Sequence, residues 1–319
     1  MSARASRRLR LAASFALLAL VVALADRDAV WRTLRQVKPG WLVAAMAVAS
    51  LDRLIINQRW RLLLAGRGVH ISLMLAARLQ LRAGFLGSFL PTSVGVDAVR
   101  MTSLRGLGFP VADVVAATLV DRISLLAGTL LLGAAMIALF AHAMLPGAMT
   151  AIVLGLTGSM LVAGSAALHP AVRRFGRETV AARAPLRFRR TIHETAEAVL
   201  LYRHRHALLA KLAALTIAAF AVRIWFVELI ALAAGVAIPF LQLATVVPIL
   251  WIVVMLPITI GGLGVQELGY VGLMALVGVP APVAVSMSLI EHVIARVGSL
   301  PGAFLIASPR PARAEPAPC

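Results

Sequence analysis

The chain has 319 residues, 61% of them hydrophobic and only 14% charged, against about 25% charged in ordinary soluble domains. With a mean hydropathy of +0.92 it is neither a soluble enzyme nor a nucleic-acid-binding domain, which need far more polar surface, nor a disordered chain, which needs far fewer apolar residues. Lys and Arg number 31 against 13 Asp and Glu, a net charge of +18; in a polytopic helical membrane protein that excess marks cytoplasmic loops and anionic lipid head groups, not nucleic acid.

Arg4, Arg7, Arg8 and Arg10 flank the start of the apolar stretch Leu9–Ala25, the pattern of a signal anchor. Its end, Ala23-Leu24-Ala25, also resembles a signal-peptidase site. A retained anchor is preferred because further spans follow, and residues 1–40 are read as anchor plus external loop. Trp41–Leu64 is the next span, with Asp52, Arg53 and Asn57 in its middle. Met74–Gly95 is apolar but carries Arg78, Arg82, several glycines and Pro91. It is too broken for a simple span and is read, over residues 74–108, as a re-entrant segment. Val111–Phe140 is long enough to span, and a turn at Pro146-Gly147 leads into Met149–Leu168.

His169–Lys211 then holds ten Lys and Arg, with Phe188, Ile192, Thr195, Val199 and Tyr202 on one face at helical spacing. A basic amphipathic helix on the membrane surface and an ordinary cytoplasmic loop helix both fit this pattern. Leu208–Ala234 spans. Pro239–Leu256 runs through Pro257-Ile258-Thr259-Ile260-Gly261-Gly262-Leu263-Gly264 into the short apolar piece Val265–Val279, a second re-entrant segment over 239–279. Val283–Ala307 is the last span, and the Pro/Ala-rich tail 308–319 reads as disordered. The single cysteine, Cys319, makes no intramolecular disulfide and no Cys-based metal site, and the histidines lack metal-ligand spacing, so no cofactor and no metal are expected. With both broken segments returning to their own side, 23 of the 31 Lys and Arg fall inside, the five from Arg59 to Arg82 among them, which places both termini in the cytoplasm.

The chain repeats itself. Pro91-Thr92-Ser93-Val94-Gly95 recurs as Pro257-Ile258-Thr259-Ile260-Gly261 at an offset of 166, and Thr118-Leu119-Val120-Asp121-Arg122-Ile123 as Ser288-Leu289-Ile290-Glu291-His292-Val293 at an offset of 170. Gly128 and Gly298 follow at the same distance, and Trp41–Leu64 matches Leu208–Ala234. The expected fold is therefore all-α: two inverted repeats over 41–140 and 208–307, each a span, a re-entrant broken helix and a span, with extra N-terminal and central spans, the centre (141–207) carrying the basic segment. Broken helices expose backbone groups that lipid cannot satisfy, so they are tolerated where protein or a water-filled cavity covers them. Inverted repeats of this kind place a binding site near the midplane, and the unpaired helix N-termini there attract anions.

Intramembrane charges mark the same places. Each costs about 2.5–3.5 kcal/mol at mid-bilayer on insertion scales. Asp97 and Arg100 follow the first broken motif and Glu267 the second; Asp121 and Arg122 lie mid-span with Glu291 and His292 at the equivalent positions; Arg296 lies just over a turn beyond Glu291. Asp52, Arg53, Arg223, Glu228 and Arg296 fit helix-to-helix ion pairs and a polar path equally well. The repeat-matched charges are read as lining a path for an anionic head group, with Pro91, Pro257, Gly261 and Gly262 forming its backbone walls. Arginine suits a phosphate because its planar fork binds two oxygens and stays charged in a dry site.

Leu90-Pro91-Thr92-Ser93-Val94-Gly95-Val96-Asp97-Ala98-Val99-Arg100, Val120-Asp121-Arg122 and Leu256-Pro257-Ile258-Thr259-Ile260-Gly261-Gly262-Leu263-Gly264-Val265-Gln266-Glu267, in that order, resemble the lysylphosphatidylglycerol synthase transmembrane region, a family of flippase-like proteins. The resemblance covers about Trp41 to Ala307. It implies a multi-pass inner-membrane protein that moves or handles a lipid. Full-length synthases of the family also carry a cytoplasmic domain that transfers an amino acid from aminoacyl-tRNA; the chain ends soon after its last span, so no such transfer, and no enzyme activity, is expected. Where the family has Gly-Gly-Asp this chain has Gly95-Val96-Asp97, and where it has Arg before the Glu this chain has Gln266. A lipid transporter for an anionic lipid leads the functional readings. A non-catalytic accessory of a lipid, hopanoid or polyprenyl-glycan synthesis enzyme is the alternative, followed by an intramembrane lipid-modifying enzyme, for which no nucleotide loop, metal cluster or nucleophile–base pair is present.

Overall fold

Apolar runs long enough to cross a bilayer become four long helices in the computed structural model, which describes residues 26–87, 94–141, 146–168, 194–195, 197–255 and 264–307. All the secondary structure among these residues is helical. In chain order the helices are α1 (Arg27–Arg35), α2 (Pro39–Ala65), α3 (Leu73–Gly87), α4 (Val94–Gly106), α5 (Val111–Met136), α6 (Gly147–Leu168), α7 (His206–Ala233), α8 (Phe240–Met255), α9 (Val265–Ala275), α10 (Ala281–Val297) and α11 (Pro301–Ala307). The stretch Leu9–Ala25, most of the basic segment, Pro91, Pro257, Gly261, Gly262 and the tail lie outside the described residues.

The 27 residues of α2 rise about 40 Å, more than the roughly 30 Å of bilayer hydrocarbon. α7, with 28 residues, is as long, and α5 extends into one π-helical turn, Ile137–Ala141. By contrast α3, α4, α8 and α9 have 15, 13, 16 and 11 residues, each shorter than the roughly 20 needed to span. α3 packs on α4 and α8 on α9. Each half thus runs long helix, two short helices, span: α2–α3–α4–α5 and α7–α8–α9–α10, the last span being α10 continued by α11. The last span departs from expectation. Val283–Ala307 is two helices, because Pro301 donates no backbone N–H and disfavours a helical Leu300; i→i+3 bonds such as Gly302 N–H to Ser299 O at 2.9 Å close the gap.

α2 and α7 lie antiparallel. At one end the Lys38 N–H donates to Ala233 O at 3.1 Å; at the other Gly66 abuts Leu208. Apolar packing is concentrated in two places. Ile230, Leu243, Tyr270, Met274 and Met287 centre a cluster among α7–α10, and Trp60, Leu63, Leu104, Val114 and Leu212 centre another at the far end of α2. Thr195 and Tyr202, on the apolar face read from sequence, are buried, as is Ala198, while Glu194 and Glu197 are exposed; Phe188 and Ile192 of that face lie outside the described residues. The Tyr202 hydroxyl donates to Leu63 O at 2.7 Å, and burial pushes its pKa up, so it remains a donor. It thereby serves one of the carbonyls that the last turn of α2 leaves without a helical partner.

Candidate functional site

On α5 the buried positions Val114, Ala117, Thr118, Asp121 and Leu125 recur at helical spacing, while Leu119 and Ile123 are exposed on the opposite side. Asp121 therefore faces protein, and Arg122 lies at the boundary between the two faces. Asp97, in the first turn of α4, accepts from Arg122 Nε at 2.8 Å. One turn on, Arg100 lies 3.9 Å from the other Asp97 oxygen, donates to Gln80 Oε1 of α3 and stacks 4.8 Å from the Trp60 ring centroid. Asp121 faces Arg59 of α2 at 3.2 Å and also feels the charges of Arg100 and Arg122. Arg59 is wholly buried; it donates to Leu212 O at 2.7 Å, to Ser124 Oγ at 2.9 Å and to Thr216 Oγ1. Three guanidiniums thus share two carboxylates. Arg122 differs from its neighbours in being 38% exposed along its side chain, and its terminal nitrogens have no partner among the described residues.

The second half repeats this plan at an offset of 170. Glu267, in the first turn of α9, bonds His292 Nε2 at 2.9 Å. The pair is separated by 25 residues, the same separation as Asp97 and Arg122. Glu291 takes the place of Asp121, and Tyr270, equivalent to Arg100, donates its hydroxyl to it. Glu267 has a second duty: its other oxygen accepts the Gly264 N–H at 2.6 Å, capping α9. Gly264 has φ +84, a conformation that a side chain strains. Where the first half holds a surplus of cations, the second holds a carboxylate–imidazole and a carboxylate–phenol pair.

A family model for the lysylphosphatidylglycerol synthase TM region matches residues 9–302. The chain belongs to this family. No curated protein and no solved structure matches it. Membership and the four long apolar helices make it a multi-pass membrane protein. Both departures from the family pattern occupy defined places. Val96 packs on Gly87 of α3, where a Cβ would overlap its methyl group; the added side chain is thus accommodated by a glycine on the facing helix. Gln266 is 5% exposed and its buried Nε2 has no acceptor among the described residues.

Of the residues singled out from sequence, the structure brings together Asp97, Arg100, Asp121 and Arg122 in one cluster and Glu267, Glu291 and His292 in another. Arg296 stands exposed on the last turn of α10, in neither cluster. Pro91, Pro257, Gly261 and Gly262 fall outside the described residues. Arg59 is a correction: counted by charge as part of a cytoplasmic loop, it is wholly buried inside α2. Gln80 and Trp60 were also missed, since neither a neutral amide nor a buried ring carries a charge signal. Asp52 and Arg223 pair at 3.1 Å across the α2–α7 contact, while Glu228 is half-buried with no partner among the described residues.

Proposed function

We propose that this chain is a transporter of the inner membrane, with both termini cytoplasmic, that carries a lipid with an anionic head group between leaflets. The charge imbalance of the first-half cluster carries this reading: three guanidiniums against two carboxylates leave one positive charge in a mostly buried setting. An oxyanion balances that charge. In this reading Arg122 meets the head group, because it is oriented by Asp97 through one nitrogen and open at the others, and Arg100 supports it from behind. Only the head group needs a polar route; the acyl chains stay in the bilayer. Two features support inverted halves. The matched pairs Asp97–Arg122 and Glu267–His292 support the correspondence, and the antiparallel α2 and α7, each the first helix of its half, support the inversion.

The test is transport in proteoliposomes. Wild-type protein should move fluorescent phosphatidylglycerol or an isoprenoid phosphate between leaflets. Arg122→Gln should slow this by about tenfold or more, the effect of removing a hydrogen bond to a charged group, with an unchanged elution profile. Equal rates for the two proteins across both lipids would overturn the assignment.

A further inference from the structure

A cavity of about 150 Å³ lies among α2, α7, α8 and α10, lined by Asp52, Arg53, Arg223, Trp251 and Glu291 with apolar neighbours. It shares no residue with the Asp97–Arg122 cluster. That volume is well below the 300–1,000 Å³ of drug-sized pockets; a small polar group fits it, and a nucleotide or sugar chain does not.

The lining sets two guanidiniums and an indole N–H against two carboxylates. Arg223, 7% exposed, bonds Asp52 through Nε at 3.1 Å and lies 4.5 Å from the centroid of Trp251. Trp251 Nε1 is buried with no acceptor among the described residues, an arrangement that costs about 1–3 kcal/mol when left unmet. Arg53 reaches across to α10, donating to Gly298 O at 2.9 Å and Ala295 O at 3.4 Å; no carboxylate is within ion-pair distance of it among the described residues. On the acceptor side, Asp52 is engaged by Arg223, and Glu291 accepts from Tyr270.

We propose that this cavity is a second phosphate station: Arg53, Arg223 and the Trp251 N–H together bind a phosphate oxyanion, with Asp52 holding Arg223 in place. The α2–α7 contact joins it to the first cluster, since Asp52 and Arg59 lie two turns apart on α2 and meet Arg223 and Thr216, two turns apart on α7. A head group then has two stops, one at the Asp97–Arg122 cluster and one between α2 and the second half. Only the source of the phosphate, a lipid, rests on the transport reading above.

Native mass spectrometry of the full chain tests this with three probes: phosphatidylglycerol, a phosphate-free galactosyl diacylglycerol, and inorganic phosphate alone. Wild type should retain two phosphatidylglycerol molecules and no glycolipid. Trp251→Phe, which keeps a ring but removes the donor, and Arg53→Gln should each retain one, with about tenfold weaker binding of the other. Ala49 also lines the cavity; Ala49→Leu, which fills it and leaves every charge in place, should do the same and guards against misfolding of the first two variants. Inorganic phosphate that binds in an Arg53-dependent manner and displaces one lipid confirms the oxyanion site and makes free phosphate a ligand; no displacement assigns it to lipid. Wild-type stoichiometry in all three variants, or equal retention of the glycolipid, overturns the proposal. Arg122→Gln reports separately on the first cluster, so loss of that station alone leaves this one standing.

Discussion

Arg59 and Arg122 belong to one charge cluster, yet their surroundings give them different work. Arg59 is enclosed by α2, α5 and α7 and spends its two terminal nitrogens on a carbonyl, two hydroxyls and Asp121. Arg122 has one anchoring bond and an open end. Removing one partner of a buried ion pair leaves an uncompensated charge and costs about 3–5 kcal/mol. Arg59→Met should therefore lower the melting temperature of the purified protein sharply, and Arg59→Met with Asp121→Leu should recover most of the loss. Arg122→Gln should shift melting little while slowing transport. A melting temperature for Arg59→Met equal to wild type would show that the pair adds nothing to stability. The charge of Arg59 was legible in the sequence but its burial was not: a cation near the end of an apolar run reads as the start of a loop, and here α2 continues for another turn and a half to Ala65.

Close approach decides how the short helices sit. A Cβ at Gly302 would overlap the Leu81 carbonyl of α3, so α11 rests on the α3 backbone at a distance only glycine permits. Gly302→Val should destabilise by about 1–3 kcal/mol, the usual range for overpacking. Gly158, on an exposed face of α6 with nothing within 4 Å of its Cβ position, is the matched control: Gly158→Ala should leave stability unchanged or raise it by up to about 1 kcal/mol. Thermal melts of both in one detergent check the pair, and a Gly302→Val melt equal to wild type would mean α11 can move away freely. Both glycines look alike in sequence, because each sits in an apolar helical run. The repeat-matched glycines do stand at contacts: a Cβ at Gly128 would overlap the Thr216 methyl, and one at Gly298 the Arg53 guanidinium.

Across the whole molecule, the antiparallel α2–α7 contact ties the halves together through Asp52–Arg223 and Arg59–Thr216. If that contact holds the halves in register, a double-mutant cycle of Asp52→Asn and Arg223→Gln should give a coupling energy of about 0.5–3 kcal/mol in unfolding. Strict additivity would separate the two residues. The limits of α2 and α7 were readable to within about two residues, Trp41–Leu64 against Pro39–Ala65 and Leu208–Ala234 against His206–Ala233, because bilayer thickness sets how long an apolar helix must be. The motif offset of 170 likewise marked Asp121–Arg122 and Glu291–His292 as equivalent before any contact was known, since a repeated sequence folds to a repeated local structure.

Sequence by itself determined the all-helical class, the limits of α2 and α7 and the positions of the unusual charges, all of which depend on composition and on periodicity within one helix. Tertiary structure alone decided the partners. Asp97 joins Arg122 and Glu267 joins His292, while Arg59 joins Asp121 and Asp52 joins Arg223. Periodicity fixes the direction in which a side chain leaves its own helix; the neighbour it meets depends on how helices far apart in the chain cross.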